Sequence, residues 1–427
     1  MSIFRIDGGA SLQGTVSPGG NKNEALPALA AALLTEDDVI LENVPRILDI
    51  DTMLELMRSV GATAEWTGAH QVRVCARDLS GSPDPALCGR IRGSFLLAGP
   101  LTARMGRVCL PQPGGDRIGR RRLDPHLAAL SAMGVEWHAS GSVVELSVGS
   151  SGLHAEVIEL DEPGVTATEN ALMLAACIPD ETVIYNAASE PHVQGVCRML
   201  TSMGARIDGV GTNRLLVSGR SPLHSCQHAI APDHIEIGSF VGLAAATRSR
   251  IAVTPVDAGL LGPVLRPFRK LGVALSFEGD VLHCDAREPM AVQLEFGGAV
   301  PVIDDGPWPA VPADVMSIVV VAATQARGTV LVFEKMFESR LFWVDRLIAM
   351  GANAILCDPH RVVVVGPSHL RGTTVASPDI RAGMALVIAA LAAEGKSVIQ
   401  NVGQIDRGYE RIEQRLMALG ARIQREE

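Results

Sequence analysis

A chain of 427 residues is too long for one hydrophobic core, so two or three domains are expected. A formal net charge of −10 argues against general nucleic-acid binding, and an aromatic content of 4% argues against a stacking platform for bases. Residues 1–7 carry no secretory signal pattern, the longest apolar runs (25–34 and 384–393) are about half a membrane span, and the eight cysteines form no CxxC pair. A cytoplasmic protein with reduced thiols, no membrane insertion and no zinc is therefore expected. Oligomeric state is not legible.

Taken in order, the chain repeats one unit six times. The first unit has a very apolar helix over 24–34, a β-branched strand over 39–44, a polar loop, and an amphipathic helix ending at Ser59-Val60-Gly61. The second has its helix over 93–102 and strand over 107–110, and ends at Ala132-Met133-Gly134. The third runs 170–177, then 182–187, and ends at Ser202-Met203-Gly204. The fourth runs 238–246, then 250–256, and ends at Lys270-Leu271-Gly272. The fifth runs 314–325, then 329–333, and ends at Ala349-Met350-Gly351. The sixth runs 382–393, then 397–402, and ends at Ala418-Leu419-Gly420. Glycines recurring every ~70 residues mark an internal repeat, and each reads as a helix C-cap. The first helix of each unit is apolar on most faces and should be buried; the second is one-sided and should lie outside. Ile412, Leu416 and Leu419 show that single face in the last unit. The fold class is α/β: two domains of three units, with helices inside and sheets around them.

Equal phases of the unit should reach the same end of a domain. At the helix starts stand Lys22-Asn23, Arg92, Glu169-Asn170, Glu236, Asp314, and Asp379 with Arg381. In the loops after the strands stand Asp49 and Asp51, Asp116 with Arg120 and Arg121, Glu190, Asp257, Glu338 with Arg340, and Asp406-Arg407. Helix N-termini offer free N–H groups and a positive dipole end, so these positions suit a phosphorylated, acidic small molecule. For Asp314 and Asp379 taken singly, helix capping is an equal reading.

One stretch stands out. Pro111 to Arg122 contains a Gly114-Gly115 turn, read as mobile, then Asp116, then four arginines within six residues: Arg117, Arg120, Arg121 and Arg122. Like charges this close repel, which makes sense where an anion comes to sit. No Walker A loop, GxGxxG or GxSxG is present. His224 and His228 are spaced i, i+4, but in a segment that reads as a loop without a third ligand. They are expected to be surface histidines, and no metal is expected.

These residues resemble the enolpyruvyl transferases, and among them UDP-N-acetylglucosamine 1-carboxyvinyltransferase. The matching phrases are Asn21-Lys22-Asn23, Asn43 to Pro45, Asp49 to Thr52, Arg92 with Gly99 to Arg104, Pro113 to Gly119, Ala167 to Asn170, Asp379 to Gly383, and Ile405 to Ile412. They cover essentially the whole length. The resemblance implies a pair of inside-out α/β barrels, here 22–231 and 1–21 plus 232–427, with the active site between them. It implies phosphoenolpyruvate and UDP-N-acetylglucosamine as substrates, no cofactor, and enolpyruvyl transfer to the sugar 3-hydroxyl with release of phosphate.

The implied roles follow by motif position. Asp314 is the base near the sugar hydroxyl. Lys22, Arg92, Arg121 and Arg407 form the cationic cluster, and Arg381 shares the phosphoenolpyruvate carboxylate. Asn23 touches the sugar, Val165 lies with the acceptor, and Asp379 orients cations and shuttles a proton. Asp49 is a structural carboxylate beside Arg381 or Arg407. Asp116 stands where most of the family has cysteine. It is the expected acid, should take up a proton when phosphoenolpyruvate arrives, and should confer resistance to fosfomycin, which alkylates that cysteine.

Other positions also depart from the family pattern, among them Gln404 for a histidine and Ala313 for a threonine. Glu162 replaces a lysine near the acceptor diphosphate, Gly164 opens the Ala167-Thr-Glu-Asn170 phrase in place of serine, and His234 takes a basic position. Arg120 or Arg122 is expected to offset Glu162; the role of Arg117 stays open. So do two alternatives: enolpyruvyl transfer to another nucleotide such as the 3′-hydroxyl of UMP, and a non-catalytic nucleotide-sugar-binding paralogue.

Overall fold

The computed structural model describes residues 2–116 and 118–427; Arg117 lies outside the described residues. The chain divides into two compact units. One comprises Gly20–Asp116 and Arg121–Ala231; the other comprises Met1–Gly19, Pro232–Glu427 and residues 118–120. Each has its own apolar core.

The six expected apolar helices are present, most starting a few residues earlier than their apolar runs. They are α1 (Lys22–Ala31), α2 (Ala98–Met105), α3 (Val165–Ala175), α4 (His234–Ala246), α5 (Ala313–Ala323) and α6 (Ile380–Ala392). The early start has a physical cause: the first turn of these helices is polar, so it carries no apolar signal. A single 3-10 turn, Arg92–Leu97, leads into α2. Every residue of α4 is buried, as is all of α6 but its last residue. Side-chain oxygens of Asn21, Asp233 and Asp379 cap α1, α4 and α6. The caps of α3 and α5 are Gly164 and Pro312, which offer no side-chain acceptor.

Around the helices stand six sheets among the described residues, three to a unit. In five repeats the strand after the core helix pairs antiparallel with the second strand of a hairpin; in the sixth Ile3–Asp7 takes that place. In the first repeat, Val39–Glu42 pairs with Val72–Cys75, which pairs with Thr63–Trp66. In five sheets a short parallel strand from elsewhere in the same unit completes the order. Gln227–Ala229 thus lies against Val39–Glu42, closing the last repeat of its unit onto the first. Gln13–Val16 lies against Arg250–Val253. Ile3–Asp7 runs between Lys396–Gln400 and Arg422–Glu426.

Two local devices recur. The six phrase glycines all lie at φ between +86° and +112°, just past the outer helices, where a Cβ would be strained. Asn43, Asn186 and Asn401 also have positive φ, at the ends of central strands. Each side-chain amide donates to a carbonyl next to the parallel edge strand: Ile230, Leu160 and Ser377 respectively. Asparagine tolerates this conformation and supplies the donor in the same residue. These devices fix where each strand ends and the functional loop begins.

Candidate active site

In the unit holding α1 to α3, Lys22 opens α1, and its Nζ lies 2.8 Å from Asp49 Oδ2, both groups being buried. Lys22 is thus one partner of Asp49, which the resemblance set beside Arg381 or Arg407. Asn23 follows half-buried, its backbone N–H accepted by Asn21. Arg92 starts the 3-10 turn. Its Nη2 donates to the carbonyls of Arg121 and Arg122 at 2.9 and 3.0 Å. Burial, with Arg121 close by, pushes the Arg92 guanidinium down to about 10. His126 is pushed down to about 3, first by burial and then by Arg92 and Arg121. It is therefore neutral at physiological pH. Its Nδ1 faces the Asn170 amide at 2.9 Å and its Nε2 faces Thr166 Oγ1 at 3.1 Å. An amide N–H can only donate, so Nδ1 accepts and Nε2 carries the proton. Two guanidiniums beside a neutral ring make a place where an anion is welcome.

Asn170, which the sequence set with the charged helix starts, serves as a staple. It accepts from Gly99 N–H and donates to Phe95 O, joining α3 to α2. Glu169 is buried, and burial pushes its carboxyl far above the usual range. Val165 is the first residue of α3. Arg122 Nη2 lies 3.4 Å from Glu162 Oε2, so of the two candidates it is Arg122 that meets the acid.

Asp116 is half-buried at the end of the glycine turn. Both glycines of the turn are closely packed. Gly114 N–H donates to Cys88 O, and a Cβ on Gly114 would meet the Gly89 carbonyl oxygen at 1.9 Å. A Cβ on Gly115 would meet Arg92 Cβ at 2.9 Å. Close packing against 88–92 is what requires glycine here.

The other unit gathers a different set. Asp314 lies in the first turn of α5. Its Oδ1 accepts from Arg340 Nη2 at 2.7 Å and its Oδ2 from Arg381 Nε at 3.0 Å. Both arginines are 4% exposed. Burial alone would lower them, yet Asp314 and further acidic groups raise both above the usual value. Behind Arg340, at 3.9 Å, stands Glu334, which burial pushes up to about 10. Asp379 caps α6, its Oδ1 accepting from the N–H groups of Arg381 and Ala382. The capping reading thus holds for Asp379 and fails for Asp314, whose carboxylate is spent on side chains. Arg407 donates to Gln404 Oε1 at 2.9 Å. His234 is buried and pushed down to about 4, so it supplies no charge where a base was expected.

Two readings are corrected. His228 is no surface histidine: it lies on strand Gln227–Ala229, its side chain 10% exposed, with Nε2 2.9 Å from buried Glu24. Arg340 is a site residue that the sequence does not single out, although its phase matches that of Arg121 and Arg407. That phase was the signal that could have found it. Among the described residues, no group of three or more His, Cys, Asp or Glu is placed to hold a metal ion.

Comparison with known proteins agrees with this architecture. The family described as EPSP synthase (3-phosphoshikimate 1-carboxyvinyltransferase) matches residues 6–416. The UDP-N-acetylglucosamine 1-carboxyvinyltransferase of Bradyrhizobium diazoefficiens is 52% identical, over 99% of this chain and 97% of its own. That of Treponema denticola is 48% identical over the full length of both chains. Among solved structures, the enolpyruvyl transferase NikO from Streptomyces tendae superposes with a TM-score of 0.87 at 24% identity, covering 99% of this chain and 98% of its own. EPSP synthase from Acinetobacter baumannii does so at 0.74 and 16% identity, covering all of both chains. These structures share the enolpyruvyl transferase fold. The chain belongs to the EPSP synthase (3-phosphoshikimate 1-carboxyvinyltransferase) family, and within it to the UDP-N-acetylglucosamine 1-carboxyvinyltransferases.

Proposed function

We propose that the protein transfers the enolpyruvyl group of phosphoenolpyruvate to the 3-hydroxyl of UDP-N-acetylglucosamine, releasing phosphate, at the entry to peptidoglycan precursor synthesis. Identity of 52% across 99% of the chain, to a relative carrying that name, is the observation that supports it most. The residues give the chemistry. The hydroxyl adds to C2 of phosphoenolpyruvate while C3 gains a proton; loss of a proton from C3 and of phosphate from C2 then restores the double bond. Addition needs a base at the hydroxyl, an acid at the methylene, and cations at the phosphate and carboxylate.

Asp314 is the base. Two guanidiniums hold its carboxylate charged. Asp116 is the acid. Lys22, Arg92, Arg121 and Arg407 take the anionic groups, with Arg381 on the phosphoenolpyruvate carboxylate and Asp379 orienting it. Asn23 and Val165 meet the acceptor sugar nucleotide. Both substrates belong to the cytoplasm, and so does the protein in this reading; no helix among the described residues is long and apolar enough to cross a membrane.

The test is phosphate release from phosphoenolpyruvate, with UDP-N-acetylglucosamine, UMP and shikimate 3-phosphate offered in parallel. Release with the sugar nucleotide alone is expected. Release with UMP alone moves the assignment to another acceptor, and no release with any of them makes the protein a binder.

A further inference from the structure

Tyr409 lies in the most specific phrase of the sequence, Ile405 to Ile412, yet the reaction as described assigns it nothing. It is 1% exposed. Its hydroxyl lies 2.8 Å from Ser239 Oγ and 3.3 Å from Arg381 Nη1. Ser239 is on α4, Arg381 on α6, and Arg381 reaches Asp314 on α5. One phenol therefore ties together the three core helices of its unit.

The direction of this chain can be deduced. Arginine has only donors, so Tyr409 oxygen accepts from Arg381. Ser239 lies 3.1 Å from the Ile235 carbonyl, which can only accept, so the serine proton goes there. Tyr409 must then donate to Ser239. The chain runs Arg381 to Tyr409 to Ser239 to the Ile235 carbonyl, with every proton placed. Burial raises the phenol, so this proton stays on tyrosine.

We propose that Tyr409 is a positioning residue for the acid–base centre: its hydroxyl, anchored on Ser239, fixes the Arg381 guanidinium that holds Asp314. The geometry of arginine explains the need. Nε and Nη2 both lie 3.0 Å from Asp314 Oδ2, which fixes one edge of the fork. Without a partner at Nη1 the planar group can tilt about its last side-chain bond, and the carboxylate loses its alignment. The phenol closes that freedom, with its ring centroid 5.6 Å from the guanidinium carbon. Asp314 is also faced by Arg340, on which Asp379 acts, by Glu334 behind it, and by Asp233 and His234 at the start of α4. These groups stay the same when Tyr409 changes, so a difference between wild type and variant reports Arg381.

This inference rests on the role of Asp314 proposed above. The test is Tyr409→Phe. Expected are a kcat lower by about tenfold, a smaller rise in KM for phosphoenolpyruvate, which Arg381 also meets, an acceptor KM within about threefold, and a melting temperature lowered by no more than a few degrees. The acidic limb of kcat/KM should move to higher pH, because a looser cation lets Asp314 keep its proton longer. Substrate ionisation is common to both enzymes and cancels. Ser239→Ala should give a weaker shift in the same direction, and it decides the matter if Tyr409→Phe does not fold. Wild-type kcat with an unshifted limb overturns the proposal, as does a loss of activity that merely follows a fall in melting temperature. If wild type transfers no enolpyruvyl group, the functional reading fails instead. The titration of the Asp314 carboxyl carbon by 13C NMR, in wild type and Tyr409→Phe, then decides the positioning role alone: a higher midpoint supports it, an equal one overturns it.

Discussion

At the helix starts of one unit stand Lys22 and Arg92; at those of the other stand Asp314, Asp379 and Arg381. The first unit sets Arg92 against backbone carbonyls, with the neutral His126 nearby. The second surrounds its key carboxylate with two buried arginines and a tyrosine, so charge is already met and geometry is fixed. In the proposed reaction the same repeat supplies the acid Asp116 and most of the anion-binding cations in one unit and the base Asp314 in the other. The backbone plan decides which residues face the loops, and the side chains at those positions decide the chemistry.

The largest expected effect tests the second set. Asp314→Asn should lower kcat by about 10²–10⁴-fold with little change in KM, since the amide keeps the shape but cannot take the proton. A steady-state assay checks this; a change in KM alone would move Asp314 to the binding side. Next comes the first set. Arg92→Ala should raise KM for phosphoenolpyruvate by about 10–100-fold with a smaller effect on kcat. A fall in kcat at constant KM would erase the contrast between the units.

His126 sharpens the comparison through stability. It is pushed down to about 3 in the folded chain, whereas an unfolded histidine takes its proton near 6.5. Below pH 6.5 the unfolded state binds the extra proton, so this group makes folding less favourable as pH falls from 6.5 toward 3. His126→Asn removes that term. Its destabilising effect, measured by urea unfolding, should shrink by about 2 kcal/mol between pH 7 and pH 5. An effect equal at both pH values contradicts a buried neutral imidazole.

The smallest effect concerns Arg122 and Glu162, an ion pair open to solvent and worth little in itself. Arg122→Ala should expose Glu162 to the acceptor diphosphate and raise KM for the sugar nucleotide by about fivefold or less, with Glu162→Gln restoring it. An unchanged KM would leave the pair as surface charge.

What could be read from the sequence follows from the same physics. The six glycines announced the helix ends because positive φ nearly demands glycine. The apolar helices announced the cores. The charged phases announced the loops, because repetition carries position along with pattern. Pairing was not legible. Asp314 and Asp379 look alike in sequence, yet one is held by two arginines and the other caps a helix. Asn170 looks like a site residue and joins two helices, while His228 looks exposed and sits against Glu24. Gly114 and Gly115 look like a plain flexible turn, and nothing in the sequence says that 88–92 passes too close for a side chain. Each of these depends on which distant segment comes near, and a single sequence carries no record of that.

The central claim is transfer by addition of a proton at C3 and its later removal, with Asp116 as the donor. Running the reaction in D₂O with phosphoenolpyruvate and UDP-N-acetylglucosamine tests it most directly. Addition makes a methyl group whose three hydrogens become equivalent, so elimination must leave deuterium on the vinyl carbon of the product. The account predicts vinyl deuterium by NMR in the wild-type product, and its loss together with turnover in Asp116→Asn. An enolpyruvyl product free of deuterium, or undiminished turnover in Asp116→Asn, would contradict it.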